Sequence, residues 1–305
     1  MFNAQWTFPA ANGEGEIFAR AWIVQNPAAI VQIAHGMSEY SVRYNEFACF
    51  LCLHGFCVVA NDHAGHGQSA QGHLGAFAAK AGGFDCSVKD IQRLFVLSEE
   101  KIGKFPHILF GHSMGSILAA LYAERWGGLS ALVMSGTPSS IKHSRIFCFI
   151  ADIISASRGH LARSALLETL SGSAANLSSE EMERKRVWLS RDIEKIREFN
   201  NDPLCGFDYS AGGYSAMLRA YHYIKSKNWG LNIPDIPILI VSGTDDTVSG
   251  KGKGAKDYAG QLLRTGHTHV ELKLFPECRH EIINECGREE IYAFLCKWFK
   301  DNLPF

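Results

Sequence analysis

Short, continuously apolar runs rich in β-branched residues alternate with stretches of helical period along most of this chain. That alternation limits the fold more than any other feature. Strands are predicted near residues 16–23, 29–34, 56–61, 105–110, 129–135, 236–241 and 270–275. Helical spacing runs over 41–54, 84–102, 113–126, 250–264 and 288–299. Several strand runs lack a polar face, as strands covered on both sides require. The pattern therefore predicts an α/β chain built on a mostly parallel central sheet with helices on both faces.

The rhythm breaks over 142–231. There SRIFCFIADIISAS, ARSALLETL, SSEEMERKRVWLSRDIEKIREF and SAGGYSAMLRAYHYIKS follow one another without a convincing strand. The third run opens with Ser178 and, three residues on, Glu181, the spacing of a capping box. A helical insertion of this length inside an α/β core reads as a cap or lid. The expected organisation is a core in two parts, 1–141 and 232–305, separated by a cap at 142–231.

Composition removes other classes. A chain of 305 residues, 47% hydrophobic, is long enough to bury one large core. Its formal charge of −1 leaves no basic surplus to neutralise phosphates, so nucleic acid is not an expected partner. The opening MFNAQWTFPAANGEGE lacks a basic stretch followed by an apolar one and does not read as a signal peptide. The run IFCFIADII is too short to span a bilayer and contains Asp152. A soluble, cytoplasmic protein is expected. Nine scattered cysteines read as reduced thiols. Cys49 and Cys52 form a CxxC, but within a run of helical period and with no second pair or histidine set, so no metal is expected.

The sharpest local feature is FGHSMGS, in which Ser113 lies between Gly111 and Gly115, after an apolar run and before a helix-prone one. A nucleophile at the tip of a strand-to-helix turn sits in strained backbone, and the positions two before and two after it crowd unless they lack a Cβ. The turn also aims the Met114 N–H and the helix N-terminus at a developing oxyanion. The plain alternative is a Gly-Ser turn capping an ordinary helix. The flanking strand and helix favour the nucleophile.

A serine hydroxyl needs a base, and the base an orienting carboxylate, here in the chain order serine, acid, histidine. SGTDDTVSG offers Asp245 and Asp246 at the end of a strand. PECRHEIINE offers His280 in the loop after the last strand, whereas His267 and His269 precede that strand. A second oxyanion donor should come from the loop after an early strand. His35, Gly36 and Met37 stand there, with Gly36 letting the chain turn closely and leaving the Met37 N–H as donor; a plain strand-ending glycine is the alternative. His63 and His66 in NDHAGHGQS have no evident third ligand and fit a compact structural loop.

These linked stretches resemble the monoacylglycerol lipase and lysophospholipase branch of the α/β-hydrolases, the serine aminopeptidase-like group. AHGMSEYSVRY resembles its HGxxEHxxRY, NDHAGHGQS its DHxGHGxS, and FGHSMGS its nucleophile turn. NDPLCGF, VSGTDDTVSGKGK and LKLFPECRHEIINE continue the likeness. The family's GxxDxV pattern places the acid at Asp246, and its base falls on His280. Tyr40 departs from the family's histidine, and Thr247 from its common proline.

The resemblance implies an α/β-hydrolase fold and a cofactor-free enzyme. Ser113 would attack an acyl ester such as a monoacylglycerol or lysophospholipid, with His280 as base and the Met37 and Met114 N–H groups on the oxyanion. The rivals are an amidase, aminopeptidase or thioesterase on the same residues, and a binding protein without turnover. An aminopeptidase would need cap acids to hold an amine; Glu168, Glu180, Glu181 and Glu183 exist, but the last three sit in a charged helix that reads as a solvated face. In the cap, Ile146, Phe147, Phe149, Ile150 and Ile153 recur at helical spacing. They read either as packing onto the core, or as an acyl-chain tunnel or transient contact with a lipid surface.

Overall fold

A computed structural model describes residues 3–76, 83–171 and 178–303. The strands are β1 (Ala4–Pro9), β2 (Glu16–Trp22), β3 (Ala29–Ala34), β4 (Phe56–Asn61), β5 (His107–His112), β6 (Ala131–Ser135), β7 (Ile238–Gly243) and β8 (Val270–Phe275). The helices are α1 (Asn45–Leu53), α2 (Phe84–Ile102), α3 (Met114–Arg125), α4 (Ser144–Arg158), α5 (Ala165–Ser171), α6 (Ser179–Arg186), α7 (Ile193–Asn201), α8 (Ala211–Ile224), α9 (Lys253–Arg264) and α10 (Arg288–Asp301). The strands form one sheet in the order β1-β2-β4-β3-β5-β6-β7-β8. It is parallel from β4 to β8, while β2 runs antiparallel to β1 and β4. This is the α/β-hydrolase fold.

Residues of each central strand alternate between two cores. In β3, Ile30 and Ala34 join the core with α2, α3 and α9, whereas Val31 and Ile33 join the one with α1 and α10. Both faces are thus dry, which is why β3 to β7 read as unbroken apolar runs. The strand β1 escaped the sequence reading. It is an edge strand with only Phe8 buried, held by its ladder to β2 and not by an apolar face.

Two strands end later than predicted, and the difference positions the site. Pro106 has no N–H to give, and β5 instead continues through Gly111 and His112, which pair with Met134 and Ser135 of β6. Likewise β7 runs on through Ser242 and Gly243, opposite Leu274 and Phe275. Both strands deliver the chain to the same carboxyl edge of the sheet.

Between β6 and β7 lie α4 to α8. The capping box forms: Ser178 Oγ accepts from the Glu181 N–H, and the Glu181 carboxylate accepts from the Ser178 N–H at 2.9 Å. The long helix predicted over 178–199 is instead two, α6 and α7, with Asp192 capping the second. The break has a tertiary cause. The Trp188 and Leu189 carbonyls leave the helical ladder to accept from the His280 and Glu281 N–H groups at 3.2 and 2.8 Å.

The apolar residues of α4 divide. Phe147 and Ile150 pack toward the core, while Ile146, Phe149 and Ile153 face outward at 58%, 63% and 50% exposure. Among the described residues, no helix is long and apolar enough to cross a membrane.

Candidate active site

Ser113 is the single residue between β5 and α3, at φ +52° and ψ −115°, a left-handed conformation that a side chain rarely adopts. Its N–H donates to the Ser135 carbonyl at 2.8 Å, and its carbonyl accepts from the Ser116 N–H at 2.9 Å. The two flanking glycines are needed for different reasons. A Cβ on Gly111 would overlap the Gly115 carbonyl and lie 2.7 Å from the Ala119 methyl. A Cβ on Gly115 would strike the Ala34 carbonyl and lie 2.6 Å from that of His35. Gly115 therefore answers to β3, and mutual crowding of the pair explains only Gly111.

Asp246 is fully buried in the loop after β7, and His280 is buried in the loop after β8. His280 Nδ1 lies 3.1 Å from both Asp246 oxygens; a carboxylate only accepts, so Nδ1 carries the proton. Nε2 is left to accept from Ser113 Oγ, 2.9 Å away. Asp246 Oδ1 also accepts from the Val248 and Ser249 N–H groups at 2.9 and 3.1 Å. The other aspartate, Asp245, is exposed and gives only its N–H, to the Cys278 carbonyl at 2.9 Å. Gly243 lets the two loops meet, since its Cβ would lie 2.5 Å from the Arg279 carbonyl.

Charge follows this geometry. Burial alone would raise the Asp246 carboxyl, but the His280 charge and hydrogen bond, with those of Ser249, hold it at about 2. Burial alone would lower His280, yet the Asp246 charge and hydrogen bond win and raise it above the ordinary histidine value. Beneath it, His112 is brought to about 3 by burial and by the neighbouring His280.

The loop after β3 approaches Ser113 from the other side. A Cβ on Gly36 would lie 2.6 Å from Glu39 Oε1, 3.1 Å from the His112 ring and 3.4 Å from the Ser113 Cβ, so a side chain here would crowd the carboxylate that its own N–H meets. The Gly36 N–H donates to Glu39 Oε1 at 2.6 Å. His35 Nδ1 donates to the Gly36 carbonyl at 2.8 Å, and its Nε2 accepts from the His63 N–H at 2.9 Å. His63 and His66 are buried beside it, brought by burial to about 3 and about 4 respectively. His66, in the loop after β4, reaches the Tyr209 hydroxyl at 2.7 Å, tying that loop to the segment before α8. Among the described residues, no group of three or more His, Cys, Asp or Glu side chains could hold a metal ion.

The sequence reading assigned no role to Glu39, Arg43, Glu281 or Trp188. Arg43 donates to both Glu281 oxygens at 2.7 Å and to Glu39 Oε2 at 2.8 Å. Burial would raise the Glu281 carboxyl, but the Arg43 charge and hydrogen bonds hold it at about 2. This buried bridge links the Gly36 loop to the residue beside His280. Glu39 and Arg43, four apart beside a glycine turn, were the available signal.

Above Ser113 lies a cavity of about 500 Å³. Gly36, Met37, Ser113 and His280 line it on the core side, and Phe147, Leu170, Tyr214 and Met217 from the helical segment. Glu180, Glu181 and Glu183 do not line it; they engage Arg184, the Ser178 cap and Arg197 respectively.

Fold and site together define a hydrolase of the α/β-hydrolase class. The chain belongs to the family described as serine aminopeptidase, S33, whose model matches residues 25–287. It is 33% identical over 286 residues to monoglyceride lipase of Homo sapiens, spanning 90% of this chain and 86% of that one. It is 26% identical over 288 residues to monoacylglycerol lipase of Mycolicibacterium smegmatis, spanning 91% and 90%. A carboxyl esterase from Bacillus coagulans, solved in complex with glycerol, superposes with a TM-score of 0.89 at 28% identity, over 99% of each chain. These likenesses place the chain in the lipase and esterase branch of the family.

Proposed function

We propose that this chain hydrolyses acyl esters of monoacylglycerol or lysophospholipid type through Ser113, His280 and Asp246, with residues 142–231 acting as its cap. The observation that carries the reading is the unbroken line from Ser113 Oγ to His280 to Asp246, at 2.9 and 3.1 Å, opening into a largely apolar cavity. Ser113 Oγ attacks the carbonyl carbon while His280 Nε2 takes its proton. The Met37 and Met114 N–H groups hold the oxyanion. On collapse His280 returns the proton to the departing alcohol, and it then takes a proton from the water that cleaves the acyl-enzyme. Asp246 keeps the imidazole in the required tautomer and stabilises its charged form.

Substrate choice follows from the walls. Phe147, Leu170 and Met217 suit an acyl chain. An aminopeptidase needs a carboxylate for the substrate amine; Glu39, Glu281 and Asp208 reach the cavity, but Arg43 bridges the first two and Asp208 Oδ1 accepts from the Tyr214 hydroxyl at 3.0 Å. The outward ridge of Ile146, Phe149 and Ile153 suits transient contact with a lipid surface.

The test is turnover of monoacylglycerol, lysophospholipid and p-nitrophenyl esters beside aminoacyl anilides. Esters should be cleaved fastest, and wild type but not Ser113→Ala should label with a fluorophosphonate. Faster cleavage of the anilides than of every ester would overturn the ester reading.

A further inference from the structure

The loop that carries Met37 is not held by the core alone. Ser38, the next residue, has φ +56°, a conformation that costs a non-glycine residue roughly 1–2 kcal/mol unless its surroundings enforce it. Those surroundings come from across the cavity, from the turn that follows α7. The Gly206 N–H donates to the Ser38 carbonyl at 2.8 Å, and Ser38 Oγ donates to the Phe207 carbonyl at 2.6 Å. Two residues on, the Tyr40 hydroxyl donates to Asp202 Oδ2 at 2.8 Å. Asp202 is itself fixed, since its Oδ1 accepts from the Leu204 N–H at 2.8 Å and its carbonyl from the Cys205 N–H at 3.0 Å. Three bonds thus join a rigid turn of the helical segment to a three-residue stretch of the loop, Ser38 to Tyr40.

Tyr40 is the position where this chain departs from the histidine of the motif it resembles, and the structure shows what the longer side chain reaches. Its ring is buried, with the Arg20 guanidinium 5.7 Å from the ring centroid. A Cβ on Gly67 would lie 2.8 Å from Tyr40 Cβ, so the glycine of the GHG stretch is what leaves room for it. From there the hydroxyl reaches past the core to Asp202. Burial and the Asp202 carboxylate both push the phenol up, which keeps it a donor.

We infer that the turn 202–207 clamps the oxyanion loop, with Tyr40 and Ser38 as positioning residues that keep the Met37 N–H in register with Ser113. The cap then contributes to the rate of acylation itself, besides shaping the substrate pocket. The inference rests on the proposed role of Met37.

The test is kcat and KM for p-nitrophenyl acetate, butyrate and laurate, per serine titrated with fluorophosphonate, so that only folded enzyme counts. Tyr40→Phe keeps the ring and removes the hydroxyl. It should lower kcat roughly 10- to 100-fold, since a donor displaced by a fraction of an ångström loses much of its effect. The factor should be the same for all three chain lengths, with KM within about twofold of wild type. Asp202→Asn keeps its oxygen for the Leu204 N–H and turns its NH2 toward the Tyr40 hydroxyl, which can accept from it, so this variant should stay near wild type. Asp202→Ala should match Tyr40→Phe, and the double variant should be no worse than either, as coupled partners require. Ser38→Ala supplies an independent loss should the Tyr40 variants yield no titratable enzyme.

Full kcat on acetate in Tyr40→Phe, a loss confined to laurate, or losses that multiply in the double variant would each overturn the clamp while leaving the esterase reading intact. Absence of ester turnover in the wild type overturns both.

Discussion

His280 Nε2 lies 2.9 Å from Ser113 Oγ although 167 residues separate them, and its other nitrogen lies 3.1 Å from Asp246. If the three act as a unit, Ser113→Ala should remove about 10⁶-fold of kcat on a soluble ester. Asp246→Asn should remove about 10⁴-fold, because an amide there favours the wrong tautomer of His280. Asp245→Asn should change the rate less than about threefold, since that side chain is exposed and away from the ring. Equal losses at the two aspartates would refute the assignment of the acid.

The pH profile follows from the same pair. His280 must be neutral to accept the serine proton, and the Asp246 charge raises its folded pKa above the ordinary 6.5. The rate should therefore rise with pH, with the midpoint of kcat/KM above 6.5. Replacing Asp246 with Asn removes the charge that raises His280, so the midpoint of the residual activity should move to lower pH. A midpoint that stays put would show that Asp246 does not set the base.

Much of this arrangement was legible because it rests on short-range chemistry. Glycines around Ser113 and unbroken apolar strands are local in the chain, and the order of Ser113, Asp246 and His280 can be read along it without knowing their contacts. What was not legible depends on contacts between distant segments. The break at Trp188 exists because the His280 loop takes the helix's carbonyls, and nothing in VWLSRD signals that exchange. Glu281 carries no legible role for the same reason: a buried carboxylate is tolerable only beside its partner, and its partner Arg43 lies 238 residues away. Gly115 is rightly expected to lack a Cβ but for the wrong neighbour, because the strand it abuts, β3, adjoins β5 only in the folded sheet.

That neighbour makes a separate prediction. Gly115→Ala drives a methyl into backbone carbonyls of β3, which cannot move aside as a side chain can. It should cost about 3 kcal/mol or more and depress the yield of folded protein. Gly127→Ala is the control: a Cβ there meets nothing within 4 Å, and its effect should stay below about 1 kcal/mol. Urea unfolding of both variants measures the difference, and equal stability would contradict the steric account.

The outward ridge of α4 gives a test that leaves the chemistry untouched. Phe149 and Ile146 are 63% and 58% exposed, and burying each among acyl chains is worth about 2 kcal/mol. The double variant Ile146→Ser, Phe149→Ser should bind phosphatidylcholine vesicles more than tenfold more weakly by flotation. Its kcat on p-nitrophenyl acetate should match wild type. Undiminished vesicle binding would exclude this face as the contact.

Asp90, far from the serine, makes stability depend on pH in a direction unusual for a carboxylate. Its Oδ1 accepts from the Ala11 N–H at 2.7 Å, pinning the turn between β1 and β2, while its Oδ2 is buried without a hydrogen-bond partner. Burial outweighs the Ala11 hydrogen bond and the Arg93 charge, and raises the group from 3.8 to about 7. The folded protein therefore favours the protonated form. Stability from this group is complete below about pH 4 and is lost as pH rises through 7, by up to about 4 kcal/mol. Asp90→Asn keeps the carbonyl that accepts from Ala11 and cannot ionise. The Tm of Asp90→Asn minus that of wild type should grow between pH 4 and 7 and level off above. A difference constant across that range would mean that Asp90 ionises normally in the folded chain, and that water reaches Oδ2.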